Sequence, residues 1–322
     1  RLPALLATAA LVAASPVGWP REHGTFASQI RAANLEHYDK TALPLSDRSQ
    51  VDLNTTGGGR AGTDVTVEIR FYTVEGIDVA HSRMRLKVWL IMQWTDERLA
   101  WNPEKFGNVS SVHYLAVAHN KPEETEIWVP DLTMYNAAEP MEDTLQGQLA
   151  TVSSAGGVYW SRPGSLDVLC KFSGLVAFPF DDLSCSFEIG GWILGSWQQG
   201  VKLSDRAKNA DPAQGPQGPG FLVERRQATA GQAYSEFFIN DADTSIAAWT
   251  YECCDDFFSV ARYTVLLKRT TQGFYSFQII FPLVLVVLGG FCVFWLDPDV
   301  GERLGYGITL VLATAIYQVV LT

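Results

Sequence analysis

The sequence of 322 residues has few charged side chains, and the basic ones are the scarcest. Lys, Arg, Asp and Glu make up only 18% of it, below the quarter or so that is typical of soluble domains. The 24 basic and 35 acidic residues give a formal net charge of −11, which argues against nucleic acid as a partner. An apolar content of 47% excludes a disordered chain, and the low charge suggests that part of the chain lies in lipid.

The sequence also lacks the patterns that usually carry catalysis or hold a cofactor. It has no phosphate-binding loop, no dinucleotide-binding glycine pattern and no HExxH motif, and its five His are dispersed. No nucleophile, base and metal-ligand set stands out. We therefore expect no enzymatic activity, no metal and no cofactor.

Charged residues are absent between Arg269 and Asp297. Within this interval, residues 274–296 form an apolar run with aromatic residues at both ends, long enough to cross about 30 Å of hydrocarbon as a helix. A buried helix of a soluble domain is the alternative. Residues 304–322 form a second uncharged run in which Gly, Thr and Gln alternate with apolar residues, which favours a helix that packs against others or lines water.

The first residues resemble a secretory signal. Residues 2–15 are apolar, uncharged and preceded by Arg1, so we predict a signal-peptide-like segment over 1–20; a buried helix is the alternative. Secretion would permit disulfides and N-glycosylation. Asn54 and Asn108 each begin an Asn-X-Ser/Thr triplet and are the predicted acceptors.

The middle of the chain, from about residue 50 to 268, alternates between apolar and polar residues in short runs. Examples are residues 66–72 and 84–90, and Gly, Pro, Asn and Asp separate such runs. The pattern predicts an antiparallel all-β domain, either a sandwich or a barrel. Residues 26–38 could form a helix, and the Gly- and Pro-rich residues 204–232 are predicted to be a long loop.

Five cysteines fall into three situations. Cys292 lies in the first apolar run and is predicted to be unpaired. Cys170 and Cys185 bracket a loop whose closure would be worth about 3 kcal/mol in the chain-entropy model. Cys253 and Cys254 are adjacent, and a disulfide between neighbours closes a small strained ring of the kind usually kept at a functional site. The alternative for this last pair is two free thiols.

Several motifs occur in an order that resembles one known family. They are WLIMQWTDERLAWNP (89–103), WVPDLTMYN (128–136), FPFD (178–181) inside the Cys170–Cys185 loop, GGW (190–192) and YECC (251–254). The chain resembles the pentameric ligand-gated ion channels of the Cys-loop superfamily, and most closely their nicotinic acetylcholine receptor-like subunits. The resemblance runs from about residue 25 to the end. It departs from the family pattern where Ser259 replaces an expected Tyr, with Phe257 and Phe258 as the nearest aromatic residues.

The resemblance implies a mainly β ectodomain followed by α-helical transmembrane segments. Residues 25–268 would be an extracellular, immunoglobulin-like β-sandwich that binds ligand, and 269–322 a transmembrane domain. In that domain the first helix would be 274–296, and 302–322 would be part of the pore-lining helix. The family has two further membrane helices, so we expect the chain to be truncated at its C-terminus.

The resemblance also implies a ligand site that is made of aromatic residues at the boundary between subunits. Such residues hold a quaternary or protonated amine by cation–π attraction, each contact being worth about 0.5–2 kcal/mol. Trp94, Trp101 and Trp128 are expected to be structural instead. The implied ligand-binding residues are Trp89, Tyr135, Trp192, Tyr251, Phe257 and Phe258, with the vicinal pair Cys253 and Cys254.

Two further sets of residues follow from the resemblance. Residues that would couple ligand binding to the pore are Asp78, Phe178, Pro179, Asp181 and Arg269, with an Arg–carboxylate pair biasing a two-state rotation. Residues that would line the pore are Glu302, Gly305, Thr309, Leu312 and Ile316. Five copies of Glu302 would form a carboxylate ring that selects cations, and Leu312 with Ile316 an apolar constriction.

The predicted function is therefore a subunit of a cation-selective, neurotransmitter-type ligand-gated channel. Its expected partners are an amine agonist, inorganic cations, the lipid bilayer and like subunits in a homo- or hetero-pentamer, and its expected location is the plasma membrane. The alternative is a membrane-tethered β-sandwich that serves binding or adhesion without conducting ions.

Overall fold

The computed structural model describes residues 21–44, 62–175, 181–206, 210–224, 237–269, 280–296 and 301–321. Several predictions concern residues outside these ranges. They are the signal-like segment 1–20, the glycosylation acceptor Asn54, the coupling residues Phe178 and Pro179, and residues 274–279 of the first predicted span.

The chain is mainly β-structure with a helix before the strands and two helices after them. In chain order the elements are α1 (Arg21–Leu35), β1 (Thr63–Asp78), β2 (Arg83–Thr95), β3 (Ser111–Ala116), β4 (Thr133–Met134), α2 (Met141–Thr144), β5 (Gln148–Ser153), β6 (Gly157–Leu169), β7 (Asp182–Gly190), β8 (Gln199–Leu203), β9 (Gln217–Gly218), β10 (Phe221–Val223), β11 (Phe237–Thr250), β12 (Phe257–Arg269), α3 (Phe281–Cys292) and α4 (Glu302–Leu321).

The strands form two sheets. The larger has the order β3-β5-β6-β2-β1-β10-β9, with β8 also paired to β1, and the smaller has the order β11-β12-β7-β4. The two-residue alternation explains how each strand is used. In β2, for example, Met84, Leu86 and Val88 are buried, whereas Arg85 and Lys87 between them are exposed.

The core lies between the two sheets. Phe71 of β1 packs edge-on against Phe187 of β7 and Tyr263 of β12, with ring centroids 6.4 Å apart in both pairs. Phe187 and Tyr263 stack at 5.3 Å. All three side chains are fully buried, so the two sheets pack face to face. The prediction of a β-sandwich is confirmed.

The prediction of a purely antiparallel domain is wrong for two strand pairs. β1 pairs in parallel with β8, where Thr63 lies opposite Gln199, and in parallel with β10, where Ile69 lies opposite Phe221. The prediction of a loop over 204–232 is wrong for 217–223, because Phe221, Leu222 and Val223 are buried in β10. Three consecutive apolar residues are too few to show a periodicity in the sequence.

The segment that follows helix α1 is attached by a polar cluster to the residues that follow β2. The hydroxyl of Tyr38 donates to Asp96 Oδ2 at 2.6 Å and accepts from the backbone N–H of Trp128 at 2.9 Å. Arg98 donates to both oxygens of Asp96, whose side chain is fully buried. The buried carboxylate is therefore paired and hydrogen-bonded, as burial of a charge requires.

Helices α3 and α4 contact each other at Gly289, where an added Cβ would lie 3.2 Å from Leu310 Cδ2 and from Tyr306 Oη. Many of their apolar side chains, such as Phe291, Leu304 and Val311, are exposed. None of the helices built from the described residues combines the length and the apolar character needed to cross a membrane. The two predicted spans therefore stay predictions.

Candidate functional site

Three strands of the smaller sheet end next to one another and bring distant aromatic residues together. Gly190, at the end of β7, lies opposite Thr133 of β4 and Val260 of β12. Tyr135 therefore follows β4 close to Trp192, with ring centroids 6.3 Å apart. Tyr251, in the turn before β12, lies 5.6 Å from Phe258 by the same measure. We call Tyr135, Trp192, Tyr251 and Phe258 the aromatic cluster.

Tyr135 lies close to the sheet because Gly190 has no side chain there. A Cβ on Gly190 would lie 2.7 Å from the Tyr135 hydroxyl oxygen and 2.9 Å from Val260 Cγ2, closer than real Cβ contacts. The hydroxyl donates to the Gly191 carbonyl at 2.7 Å. Burial raises the pKa of Tyr135, and Tyr251 and Asp131 raise that pKa further. Tyr135 is therefore a neutral donor at physiological pH.

The loop that carries Trp192 is held by one buried carboxylate, Asp131. Its Oδ2 accepts the backbone N–H groups of residues 192, 193 and 194 at 3.0, 2.6 and 3.0 Å. Gln199 in turn makes two hydrogen bonds to the Asp131 backbone, at 2.9 and 2.7 Å. The ring of Trp192 is 68% exposed, so the loop presents it to solvent instead of burying it in the core.

The sequence interpretation missed this role of Asp131. The residue belongs to the WVPDLTMYN motif, but a motif does not reveal which amide groups a carboxylate accepts. Trp94 and Trp128, in contrast, are buried in the core and pack edge-on at 5.8 Å. Trp101 is half-buried and packs against the core. The expectation that these three Trp are structural is confirmed.

Both expected disulfides are present. Cys253–Cys254 lies in the exposed turn between β11 and β12, directly after Tyr251. Cys170–Cys185 joins the residue that follows β6 to the middle of β7, with Cα atoms 5.4 Å apart. The second bridge therefore ties the larger sheet to the smaller one. Cys292 is a free thiol, as predicted.

Phe257 and Phe258 have different environments. Phe258 contacts Tyr251 and lies on the same face of β12 as Val260, which borders Tyr135. Phe257 points to the opposite face, and its backbone carbonyl accepts the N–H of Ser196 at 2.8 Å. Only Phe258 therefore joins the aromatic cluster. Ser259, which replaces the expected Tyr, is buried, and its hydroxyl accepts the N–H of Val201 at 2.8 Å.

Trp89 is not part of the cluster within one chain. It lies on the outer face of β2 in the larger sheet, where its Nε1 donates to Ser161 Oγ. The guanidinium of Arg70 covers its ring at 4.9 Å and donates through Nε to the buried Glu68 at 3.0 Å. One face of Trp89 is therefore already occupied by a cation from its own chain.

The predicted coupling residues Asp181 and Arg269 form a buried ion pair. Arg269 donates from Nε and Nη2 to the two oxygens of Asp181 at 2.7 and 2.9 Å, and lies 4.2 Å from the ring centre of Phe237. Burial alone would raise the pKa of Asp181, but the hydrogen bonds and charge of Arg269 hold that pKa below its ordinary value. Asp78 instead lies exposed at the end of β1, where it accepts from the His81 N–H at 2.9 Å.

The predicted pore residues all lie on α4. Gly305, Thr309, Leu312 and Ile316 recur every three or four residues, which aligns them along one side of the helix, and all are exposed. Glu302 is the first residue of α4 and is exposed. The predicted glycosylation acceptor Asn108 is exposed, in a turn with left-handed backbone geometry.

The β-sandwich thus presents two aromatic side chains, Trp192 and Tyr251, to solvent beside the ends of its strands. The chain belongs to the family of neurotransmitter-gated ion-channel ligand-binding domains, whose model matches residues 27–271. This confirms the resemblance drawn from the motifs. The family consists of receptors and not of enzymes.

Individual relatives agree with this assignment. The chain is 25% identical to acetylcholine receptor subunit alpha-type acr-16 of Caenorhabditis elegans, over 97% of this chain and 54% of the relative. It is 24% identical to neuronal acetylcholine receptor subunit alpha-10 of Rattus norvegicus, over 92% of this chain and 58% of the relative. It is 26% identical to neuronal acetylcholine receptor subunit alpha-2 of Homo sapiens, over 76% of this chain and 41% of the relative. The chain thus spans about half the length of the relatives it matches.

Proposed function

We propose that this chain is a subunit of a cation-selective ligand-gated channel whose agonist is an amine. The observation that carries the proposal is the aromatic cluster, in which three segments far apart in sequence present their rings at one end of the smaller sheet. Aromatic walls of this kind attract a quaternary or protonated amine. The vicinal pair Cys253 and Cys254 borders the cluster and shapes the turn that carries Tyr251.

The agonist would lie between two subunits. Trp89 is on the outer face of the larger sheet, and the cluster belongs to the smaller sheet, so one chain cannot bring them together. A head-to-tail ring of like subunits places these two different surfaces against each other at every interface, and a pentamer is such a ring. Trp89 of one subunit would then complete the aromatic wall of the next.

The pore would be lined by α4, with α3 as the first membrane helix. The exposed apolar side chains of both helices need an apolar environment, which lipid and neighbouring helices would supply. Glu302 would contribute one carboxylate to a ring at the mouth, and Leu312 with Ile316 the apolar constriction. In this arrangement the ectodomain is extracellular, and the protein lies in the plasma membrane.

Truncating the exposed Trp192 is expected to weaken the response to an amine. The test is to express the gene in oocytes and to record currents under a panel of amines, with Trp192→Ala against the wild type. Loss of one cation–π contact of about 0.5–2 kcal/mol raises the half-maximal agonist concentration up to about 30-fold. Ile193→Ala is the matched control, since Ile193 is equally exposed in the same loop but has no ring.

An unchanged agonist sensitivity in Trp192→Ala would contradict the proposed site. Surface expression of each variant, measured by antibody labelling of intact cells, separates a lost response from lost protein. A wild-type chain that reaches the surface, binds an amine and passes no current would instead support the non-conducting binding module.

Removal of the carboxylate of Glu302 is expected to lower the preference for cations over anions. A ring of five carboxylates sets this preference, because it concentrates cations and repels anions at the mouth. Reversal potentials in a NaCl gradient measure the preference. Glu104→Ala, which removes the same charge from an exposed ectodomain position, is the control and should change nothing. Full cation preference in Glu302→Ala would refute the assignment.

A further inference from the structure

A cavity of about 220 Å³ lies between the larger sheet and the Trp192 loop. Leu90 and Met92 of β2 and Trp160 and Arg162 of β6 line one side of it, and Trp192 and Ile193 line another. The exposed His119 and Asn120 also border it, so the cavity is open to solvent there.

Arg162 is the unusual residue of this wall. It is only 4% exposed, yet its guanidinium has no carboxylate within ion-pair distance among the described residues. Its hydrogen bonds go to two backbone carbonyls, those of Leu145 at 2.9 Å and Gln146 at 3.4 Å. The guanidinium also lies 4.8 Å from the ring centre of Trp160. Burial lowers the pKa of Arg162 to about 10, so the side chain is still charged at neutral pH.

A buried cation without a counter-ion is costly, and proteins normally pair such a charge. Two acidic residues also line the cavity, but neither neutralises Arg162 directly. Asp131 uses its Oδ2 for three amide N–H groups, and Glu142 lies beyond ion-pair distance, acting on Arg162 only through space. The guanidinium has five donors and uses two of them in the hydrogen bonds to Leu145 and Gln146.

We propose that this cavity binds a small organic carboxylate, with the carboxylate on Arg162 and the apolar body against Leu90 and Met92. A guanidinium matches the planar carboxylate better than it matches a spherical halide. The cavity is smaller than the 300–1,000 Å³ of drug-sized pockets, which limits the ligand to about the size of benzoate. The site shares Trp192 with the aromatic cluster, but its charged contact is Arg162, and binding there does not depend on ion conduction.

The experiment uses the purified full chain in detergent and 4-fluorobenzoate as the probe, detected by fluorine NMR line broadening. We expect saturable binding, weakened at least about tenfold in Arg162→Gln because a charge-assisted contact is lost. Glu142→Gln should tighten binding several-fold, since it removes a repulsive charge from the cavity. Arg206→Gln is the matched control, because Arg206 lies over the ring of Tyr159 at the surface and should not affect binding.

Three outcomes would overturn the proposal. They are equal binding of the uncharged 4-fluorobenzamide, displacement of the probe by equimolar chloride, and identical affinities in wild type, Arg162→Gln and Glu142→Gln. If Arg162→Gln fails to fold, Glu142→Gln and the comparison with the benzamide still decide the question. The assay needs no current and no amine, so its failure would leave the proposed channel function untouched, and the reverse also holds.

Discussion

Replacing Asp181 with Asn is expected to lower the free energy of unfolding by about 3–5 kcal/mol, one of the largest effects of a single substitution in this chain. The carboxylate is fully buried and takes two hydrogen bonds from Arg269, which is itself 7% exposed in its side chain. Asn cannot neutralise that guanidinium, so the variant leaves an uncompensated charge inside the protein. Urea unfolding of the purified chain, followed by Trp fluorescence, measures the difference.

The matched control is Asp78→Asn, which removes the same charge from an exposed carboxylate that is hydrogen-bonded to the exposed His81. It should cost less than about 1 kcal/mol. Adding Arg269→Met to Asp181→Asn should restore part of the stability, because no buried charge is then left unpaired. If Asp181→Asn and Asp78→Asn lowered the free energy of unfolding equally, burial of the Asp181–Arg269 pair would contribute nothing to stability.

The Asp181–Arg269 pair also makes the free energy of unfolding depend on pH. The pKa of Asp181 is lower in the folded chain than in the unfolded one, so the unfolded state binds its proton more readily. The stabilisation is therefore complete above the unfolded pKa of about 3.9 and is lost as the pH falls through the lower folded value. The stability difference between wild type and Asp181→Asn should shrink below about pH 4.

Replacing Asp131 with Ala is expected to lower both the free energy of unfolding and the affinity for an amine. It removes the single oxygen that accepts three consecutive amide groups, so the loop of Trp192 loses its attachment to the sandwich. Hydrogen bonds to a charged group contribute about 1.5–3 kcal/mol each, so losing three of them should cost at least about 4 kcal/mol of stability. Amine affinity should fall about as far as in Trp192→Ala, although Asp131 lies beneath the loop.

Asp256→Ala is the matched control for this prediction. Asp256 Oδ2 accepts one amide of the same loop, that of Trp197 at 2.9 Å, so its removal should cost about 1.5–3 kcal/mol, less than the loss in Asp131→Ala. Thermal unfolding followed by circular dichroism and amine-induced quenching of Trp fluorescence measure the two effects. If both variants lose the same stability and affinity, Asp131 has no special role in fixing Trp192.

The sequence was informative about which aromatic residues matter and less so about what positions them. Tyr135, Trp192 and Tyr251 stand in motifs of recognisable spacing, and the structure brings them together. Phe257 and Phe258 are neighbours in a strand, and only the pairing of β12 with β7 decides which of them faces Tyr135. The role of Asp131 depends on backbone amide groups sixty residues away, which no local pattern encodes.

The strands, too, were predictable from the sequence only in part. Alternation identified long strands such as β1 and β2, because each has one face buried over many residues. The short strands β9 and β10 were not predicted, because together they contain five residues in a segment rich in Gly and Pro. The parallel pairing of β1 could not be predicted either, because strand partners are chosen by the tertiary structure and not by local propensity.

Strand β1 also determines how the chain must fold. Its partners β8 and β10 come much later in the sequence, since Thr63 pairs with Gln199 and Ile69 with Phe221. Such a high contact order makes folding slow, because a long loop must close before these contacts form. Until then, one edge of β1 presents unpaired backbone groups to any other nascent chain. Aggregation through this edge is therefore the expected failure during biosynthesis, and chaperone supply should limit the yield of folded protein.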